Sequence, residues 1–240
     1  MVAPVVVPDP AALAVLAADF IAGRIQARPD LSILVATGQT PMDTYAELAR
    51  RVAAGVLDAS GVTAVQLDEY LDLGPNDPRR LWTWMEASFV RPLGVTRTVR
   101  FDPAAPTPEA ACRAFSQELA ALGPIDLAVL GLGPNGHLGF NEPPSAPDAP
   151  TRAVTLTPES LTSNAAYWPG QTVPGRALTA GMDVILGVRE ALLLVSGERK
   201  RAILRATLSG APSPDRPASL LDPGRLTVIA DAAAWGDGVT

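Results

Sequence analysis

Residues 125–143 read IDLAVLGLGPNGHLGFNEP, and the pattern of this stretch decides the fold class. Its first half is a short apolar run, which predicts a buried β-strand, and four glycines fall within the next nine residues. Glycines at that density indicate a backbone that turns tightly or approaches a ligand closely. His137, the only histidine in the chain, lies in this turn, and Glu142 follows five residues later. The stretch therefore predicts a strand that ends in a polar, functional loop.

The glycine spacing from 131 to 136 matches Gly-x-Gly-x-x-Gly, a pattern shared with dinucleotide-binding turns. A turn of that kind opens directly into a helix, whereas the residues after Gly136 show no helical pattern. We therefore do not interpret this stretch as a dinucleotide site.

Short apolar runs and amphipathic segments rich in Ala and Leu alternate along the whole chain. This alternation indicates βαβ units with a parallel sheet. The predicted strands are 31–36, 62–67, 125–131, 191–196 and 226–230, and the predicted helices are 10–27, 41–54, 108–122 and one running from the turn at 197–201 to about 208. A side-chain cap before a proline marks three helix starts, at Asp9-Pro10, Thr40-Pro41 and Thr107-Pro108. Residues 141–181 lack clear periodicity, which predicts irregular structure.

Length and composition fit one domain, since 240 residues with 48% hydrophobic content can build one large core. We predict a single α/β domain over residues 1–240, with a mainly parallel sheet flanked by helices. The formal net charge of −6 argues against nucleic acid or an anionic membrane as a partner.

The compartment is predicted from three features of the sequence. Cys112 is the only cysteine and cannot form an internal disulfide, which fits a reducing compartment. The N-terminus lacks the basic region of a secretory signal, and Asp19 and Arg24 interrupt the longest apolar segment, so we expect no membrane span. The sequence therefore predicts a soluble, cytoplasmic protein.

In an open parallel sheet, ligands bind at the carboxyl ends of the strands. Strand 31–36 is followed by Thr37-Gly38-Gln39-Thr40-Pro41, a turn that opens into a helix. Free backbone N–H groups and the helix dipole make such a turn an anion site, to which the threonine hydroxyls add donors. The alternative interpretation is an ordinary capped loop between a strand and a helix.

Two carboxylates, Asp68 and Glu69, arrive where strand 62–67 ends. Strand alternation sends them to opposite sides, so at most one faces a given pocket. A carboxylate that is partly withdrawn from water has a raised pKa and can serve as a general base. The alternative interpretation is a solvated acidic loop or a helix cap.

Three cations, Arg199, Lys200 and Arg201, follow strand 191–196 and precede a predicted helix. Cations in a first helical turn oppose the helix dipole, which is unfavourable unless an anion is held there. The alternative interpretation is a solvated basic face, so a phosphate site at this turn is a hypothesis.

Three motifs together, at 37–41, 67–70 and 136–143, resemble the glucosamine-6-phosphate deaminase family, and Gly197 and Lys200 match it further along. The resemblance implies a Rossmann-like α/β fold shared with ribose-5-phosphate isomerase and phosphogluconolactonase. It also implies no cofactor and no metal. The implied reaction converts glucosamine 6-phosphate, or a close relative, and water to fructose 6-phosphate and ammonia by ring opening and aldose–ketose isomerisation.

The resemblance also implies roles for individual residues. His137 would open the sugar ring, Glu142 would set its orientation and charge, and Asp68 would move a proton between carbons 2 and 1. Asn135 joins this catalytic set, although many family members carry an aspartate there, because it keeps a hydrogen-bonding side chain without the charge.

The phosphate of the substrate would rest on the turn after the first long strand, with a lysine as counter-ion. These binding residues are Thr37, Gly38, Gln39, Thr40 and Lys200.

An arginine that family members often carry soon after an asparagine is absent, since Asn164 is followed by Ala165 and Ala166. As a hypothesis, Arg80 supplies the missing cation.

Two other functions remain open from the sequence. A lactonase of the phosphogluconolactonase kind shares the Gly-His turn but is not expected to continue as Phe140-Asn141-Glu142-Pro143, so that continuation favours the deaminase. A non-catalytic sugar-phosphate-binding protein of the same fold is the third interpretation. In each case the expected partner is a small phosphorylated sugar, and both a monomer and a homo-oligomer are compatible with the sequence.

Overall fold

The computed structural model describes residues 2–236, and over this range ten strands form two sheets. The strands are β1 Val5–Val7, β2 Ser32–Val35, β3 Thr63–Gln66, β4 Asp68–Tyr70, β5 Arg97–Val99, β6 Leu127–Gly131, β7 Arg152–Thr155, β8 Arg176–Thr179, β9 Glu190–Val195 and β10 Leu226–Asp231.

The helices of the described range are α1 Pro10–Ala27, α2 Gln39–Ala53, α3 Leu81–Met85, α4 Pro108–Leu122, α5 Pro158–Asn164, α6 Met182–Leu186, α7 Arg201–Ser209 and α8 Ala232–Trp235. A π-helical turn, Glu86–Val90, continues α3. Short 3₁₀ turns at Ala165–Tyr167 and Glu198–Lys200 lie directly after α5 and directly before α7.

Seven parallel strands form the main sheet, in the order β1-β10-β9-β6-β2-β3-β5. From β2 the chain first builds outward through β3 to β5, and it then returns to place β6 on the other side of β2. The loops that follow β2 and β6 therefore leave the sheet in opposite directions. This reversal opens a crevice at the carboxyl ends of the two strands, where ligands bind in sheets of this kind.

Strand alternation divides the core between the two faces of this sheet. Ile33 and Val35 point to the face covered by α1 and α2, whereas Leu34 points to the face covered by α4, α6 and α7. Because both faces are covered, the central strands β2 and β6 are buried, except for Gly131 at the end of β6, and read as continuous apolar runs. The predicted mainly parallel sheet flanked by helices is confirmed.

The five predicted strands are all present, as β2, β3, β6, β9 and β10. The caps predicted at Asp9 and Thr107 are also present, since their side chains accept hydrogen bonds from Ala12 N and Ala110 N. The cap predicted at Thr40 is wrong. The helix begins at Gln39, because Gly38 adopts a φ of 109° and turns the chain earlier.

The prediction of irregular structure over 141–181 is also wrong. This region contains α5 and the strands β7 and β8, which pair with β4 in a second, antiparallel sheet in the order β4-β8-β7. The pairing of Asp68 with Thr179 joins strands that are far apart in sequence. The second sheet fixes the position of Asp68 at the end of the main sheet.

By length and composition, helix α1 could cross a membrane, with a mean hydropathy of 1.3, so the expectation that no segment approaches such a span is wrong on that measure. In the structure its apolar stripe packs in the core, where Ile21 and Ile25 are fully buried. Its two charged residues have partners, because Asp19 pairs with Arg51 and Arg24 pairs with Glu190.

Candidate active site

A cavity of about 290 Å³ lies at the carboxyl ends of the parallel strands, in the crevice between the loops that follow β2 and β6. The turn 37–41, the start of β4, the loop 131–140 and the turn at 196–200 form its base, and residues 163–167 form one wall. Of the nine site residues predicted from sequence, seven line the cavity: Thr37, Gly38, Gln39, Thr40, Asp68, His137 and Lys200. Asn135 and Glu142 lie behind His137.

The N-terminus of α2 forms an anion cradle at one end of the cavity. No side chain caps this helix of 15 residues, so the first backbone N–H groups are available to a ligand. A residue with a Cβ rarely adopts the positive φ of Gly38, which makes glycine the suitable residue here. The phenol of Tyr167 faces the cradle, since a Cβ on Gly38 would lie 3.4 Å from its oxygen.

Asp68 and Glu69 point to opposite sides of β4, as the alternation predicts. Asp68 faces the cavity and is 8% exposed, whereas Glu69 is 2% exposed on the far side. The Glu69 carboxylate accepts hydrogen bonds from Leu81 N at 2.9 Å and Trp82 N at 3.1 Å, which fixes the start of α3. Burial and the negative charge of Glu69 raise the pKa of Asp68 to about 8. Asp68 is therefore a carboxyl group that can both accept and release a proton near neutral pH.

His137 lies against the backbone of its own loop. A Cβ at residue 133 would overlap the imidazole ring, so Gly133 is required by this close approach. The loop closes through a hydrogen bond of 3.0 Å from Gly133 N to His137 O. The ring Nδ1 lies 3.2 Å from Glu142 Oε2, which leaves Nε2 as the ring nitrogen available to a ligand in the cavity.

Glu142 is a partly buried carboxylate that three side chains surround. Asn135 Nδ2 donates to Oε2 at 2.8 Å, His137 Nδ1 contacts the same oxygen, and the hydroxyl of Ser160 donates to Oε1. Burial acts to raise the pKa of Glu142, but the hydrogen bond and charge of His137, with the bonds from Ser160 and Asn135, outweigh it and lower the pKa to about 2. Glu142 therefore stays ionised.

Asn141 holds this loop to the second sheet. Its fully buried side chain donates to Leu138 O at 3.0 Å and to Ala180 O at 2.9 Å. Its carbonyl oxygen accepts a hydrogen bond of 2.8 Å from Arg152 Nη1. The motif residue next to Glu142 thus has a structural task, which is to keep the loop beside β8.

Two cations line the cavity at the turn before α7. Lys200 Nζ donates to Leu132 O at 2.7 Å, and burial lowers the pKa of its ammonium group. Arg199 is exposed and lines the same cavity. The sequence pattern predicted both residues in the first turn of α7. In the structure they belong to the 3₁₀ turn 198–200, which precedes that helix.

The hypothesis that Arg80 supplies a cation to this site is wrong. Arg80 is 6% exposed, and its Nη2 pairs with Glu69 Oε2 at 3.2 Å. It lines a different cavity, on the far side of β4. Alternation along β4 directs Glu69 away from Asp68. Arg80 lies on the same side as Glu69 because the two residues form an ion pair.

Sequence reasoning missed Ser160 and Tyr167, and it named Arg199 only as one of three cations at a possible phosphate site. A signal for the helix that carries Ser160 was present, because Thr157-Pro158 is the same pairing of a cap with a proline that marks α4, and Thr157 does cap α5. Over residues 2–236, no group of three or more His, Cys, Asp or Glu side chains could hold a metal ion.

Comparison with known proteins identifies relatives over nearly the whole chain. A family model described as glucosamine-6-phosphate isomerases/6-phosphogluconolactonase matches residues 8–230. The glucosamine-6-phosphate deaminase of Halothermothrix orenii is 37% identical over 222 residues, which cover 91% of this chain and 92% of that protein. Glucosamine-6-phosphate deaminase 1 of Bacillus subtilis is 38% identical over 226 residues, which cover 92% of this chain and 93% of that protein.

Solved structures give the same picture. A monomeric glucosamine-6-phosphate deaminase superimposes with a TM-score of 0.90 at 35% identity, over 97% of this chain and 98% of that chain. A 6-phosphogluconolactonase from Leishmania guyanensis superimposes with a TM-score of 0.78 at 20% identity, over 99% of both chains, and shares the fold.

The raised pKa of Asp68 predicts a stability cost that grows with pH. The folded protein holds this proton up to about pH 8, whereas the unfolded chain releases it near pH 4, so wild-type stability should fall as pH rises between these values. Asp68→Asn has no proton to lose, and we expect its melting temperature to exceed that of wild type by about 3 °C or more at pH 8 and by less at pH 5. Circular dichroism melts at a series of pH values measure the difference.

The matched control is Asp102→Asn, which removes an exposed carboxylate. A melting-temperature gap for Asp68→Asn that is the same at pH 5 and pH 8 would contradict the burial cost assigned to Asp68.

Proposed function

The chain belongs to the family of glucosamine-6-phosphate isomerases and 6-phosphogluconolactonases, and we propose that within this family it acts as a glucosamine-6-phosphate deaminase. One observation carries the proposal: Asp68, a buried carboxyl group with a raised pKa, shares a cavity with a histidine–carboxylate pair and an uncapped helix N-terminus. An aldose–ketose isomerisation of a phosphorylated sugar needs such groups, because protons move between oxygen and carbon atoms while the phosphate is held.

The phosphate binds at the N-terminus of α2, where Gly38 and Gln39 present backbone N–H groups and Thr37 and Thr40 add hydroxyls. A phosphate monoester carries up to two negative charges at neutral pH, and Asp68 in the same cavity adds a third when ionised. Lys200 alone does not balance this charge. Arg199, the second cation on the cavity wall, balances the second charge of the phosphate and takes the place assigned earlier to Arg80.

His137 opens the sugar ring by taking the proton of the hydroxyl on carbon 1 and giving a proton to the ring oxygen. Glu142 holds Nδ1 of the imidazole, so that Nε2 carries out both transfers. The ionised Glu142 also stabilises the imidazolium that forms between the two transfers.

Asp68 then takes the proton from carbon 2 of the open-chain sugar and returns it to carbon 1, while one proton passes from the amino nitrogen to the oxygen on carbon 1. The product is a 2-imine, and hydrolysis by water gives fructose 6-phosphate and ammonia. A raised pKa suits this role, because the group must first accept a proton and then release it.

The net charge of −6 argues against nucleic acid or an anionic membrane as partner. A small phosphorylated sugar is supported by the two cations that line the cavity, Arg199 and Lys200. We place the enzyme in the cytoplasm, where its substrate class occurs and where a lone buried Cys112 stays reduced. The structurally similar deaminase is monomeric, which supports a site that is complete in one chain.

Purified protein is expected to release ammonia and fructose 6-phosphate from glucosamine 6-phosphate. The assay measures both products and runs beside galactosamine 6-phosphate and 6-phosphogluconolactone. Turnover of the lactone alone would show a lactonase, and tight binding of all three compounds without turnover would show a sugar-phosphate-binding protein.

Replacing either cation of the turn 198–200 is expected to weaken phosphate binding. Lys200→Ala should raise the KM for the sugar phosphate about tenfold, and Arg199→Ala should raise it about threefold to tenfold. Each variant removes a charge-assisted contact with the phosphate. The Ki of inorganic phosphate as a competitive inhibitor should rise in parallel.

Arg201→Ala is the matched control, since this arginine follows directly in sequence but bonds to Ala233 O on the opposite side. If Arg199→Ala has the KM and Ki of Arg201→Ala, then Arg199 does not contact the phosphate.

A further inference from the structure

Ser160 is a buried hydroxyl in contact with the candidate catalytic pair. It lies in α5, is 0% exposed, and has its backbone N–H held by the cap residue Thr157 at 3.3 Å. Its Oγ bonds to Glu142 Oε1 and lies 3.3 Å from His137 Nδ1. Ser160, which lies on α5 and outside the loop 131–142, therefore contacts both His137 and Glu142.

The direction of these hydrogen bonds follows from counting protons. Glu142 is ionised and only accepts, so the single hydroxyl proton of Ser160 goes to Oε1. The lone pairs of Ser160 then face His137 Nδ1, whose proton is shared between Glu142 Oε2 at 3.2 Å and Ser160 Oγ. Asn135 fills the remaining side of Oε2 at 2.8 Å. In this arrangement both acceptors of the imidazole proton lie at Nδ1, so the imidazole has one orientation.

We propose that Ser160 is a positioning residue, which holds Glu142 and the Nδ1 side of His137 so that Nε2 stays directed at the substrate. This role rests on the proposed function and deepens it. The end of helix α5 and the turn after it supply residues 163–167, which form a wall of the cavity. The hydroxyl of Ser160 therefore links the position of that wall to the orientation of the imidazole.

A change at Ser160 leaves the charges around the pair in place, because serine carries none. The titratable groups that face the same space come from four elements. They are Asp68 and Tyr70 on β4, Tyr167 after α5, Arg199 and Lys200 before α7, and Arg152 on β7, which reaches Asn141 behind the loop. A shift in pH dependence in a Ser160 variant would therefore originate in the His137–Glu142 pair.

The test compares Ser160→Ala with Ser160→Thr, which keeps the hydroxyl, and with Glu142→Gln as the upper limit of the effect. Thr162→Ala is the control, since it removes an exposed hydroxyl from the same helix. We expect Ser160→Ala to lower kcat about tenfold with little change in KM, and Ser160→Thr to restore most of it. The acid limb of the kcat profile should move to higher pH, because a hydrogen bond that lowers the pKa of Glu142 is lost.

A second readout does not depend on activity. His137 is the only histidine, so its ring signals in NMR spectra need no further assignment. The hydrogen-bonded Nδ1–H proton should be seen in wild type, Ser160→Thr and Thr162→Ala, and should shift or vanish in Ser160→Ala and Glu142→Gln.

The proposal is overturned if Ser160→Ala retains the wild-type kcat profile and Nδ1–H signal. It is also overturned if kcat falls by the same factor at every pH with that signal unchanged, since this would be a purely structural effect. If wild type does not deaminate the sugar phosphate but the NMR pattern holds, the positioning role stands and the proposed function fails.

Discussion

The contact between the imidazole of His137 and the carboxylate of Glu142 is the interaction on which the rest of the site depends. A carboxylate that has lost most of its water stays ionised when hydrogen-bond donors replace that water. Around Glu142 these donors are Asn135, Ser160 and His137. Two features of the surrounding fold make this contact possible. Gly133 leaves room for the ring, and the loop is held to the second sheet through a buried asparagine.

Asp68 is the second carboxyl group of the site, and its pKa is shifted in the opposite direction to that of Glu142. Both it and Glu142 are withdrawn from water, but burial and a neighbouring carboxylate raise the pKa of Asp68, whereas donors lower the pKa of Glu142. Two carboxyl groups of one site whose pKa values are shifted apart can take different roles, one as a proton carrier and one as a fixed charge. The second sheet makes this possible, because β4 turns Asp68 toward the cavity and Glu69 away from it.

The sequence was sufficient for those parts of the fold and site that depend on local patterns. The central strands were found because both their faces are buried. The second sheet was missed because its strands are short and because β4 and β8 pair across more than a hundred residues. The glycine-rich loop identified His137, and the pair of carboxylates at a strand end identified Asp68. The position of Ser160 arises from tertiary packing of α5 on that loop, and the side of β4 that Arg80 occupies depends on Glu69, so neither could be derived from spacing.

The central claim is that Asp68 moves a proton between carbons 2 and 1 of the bound sugar. Hydrogen exchange at carbon 2 of glucosamine 6-phosphate in deuterated water, followed by NMR, tests it most directly. The account predicts exchange with wild type and none with Asp68→Asn, while the variant stays folded and still binds inorganic phosphate. Exchange that continues in Asp68→Asn at the wild-type rate would show that another group is the base.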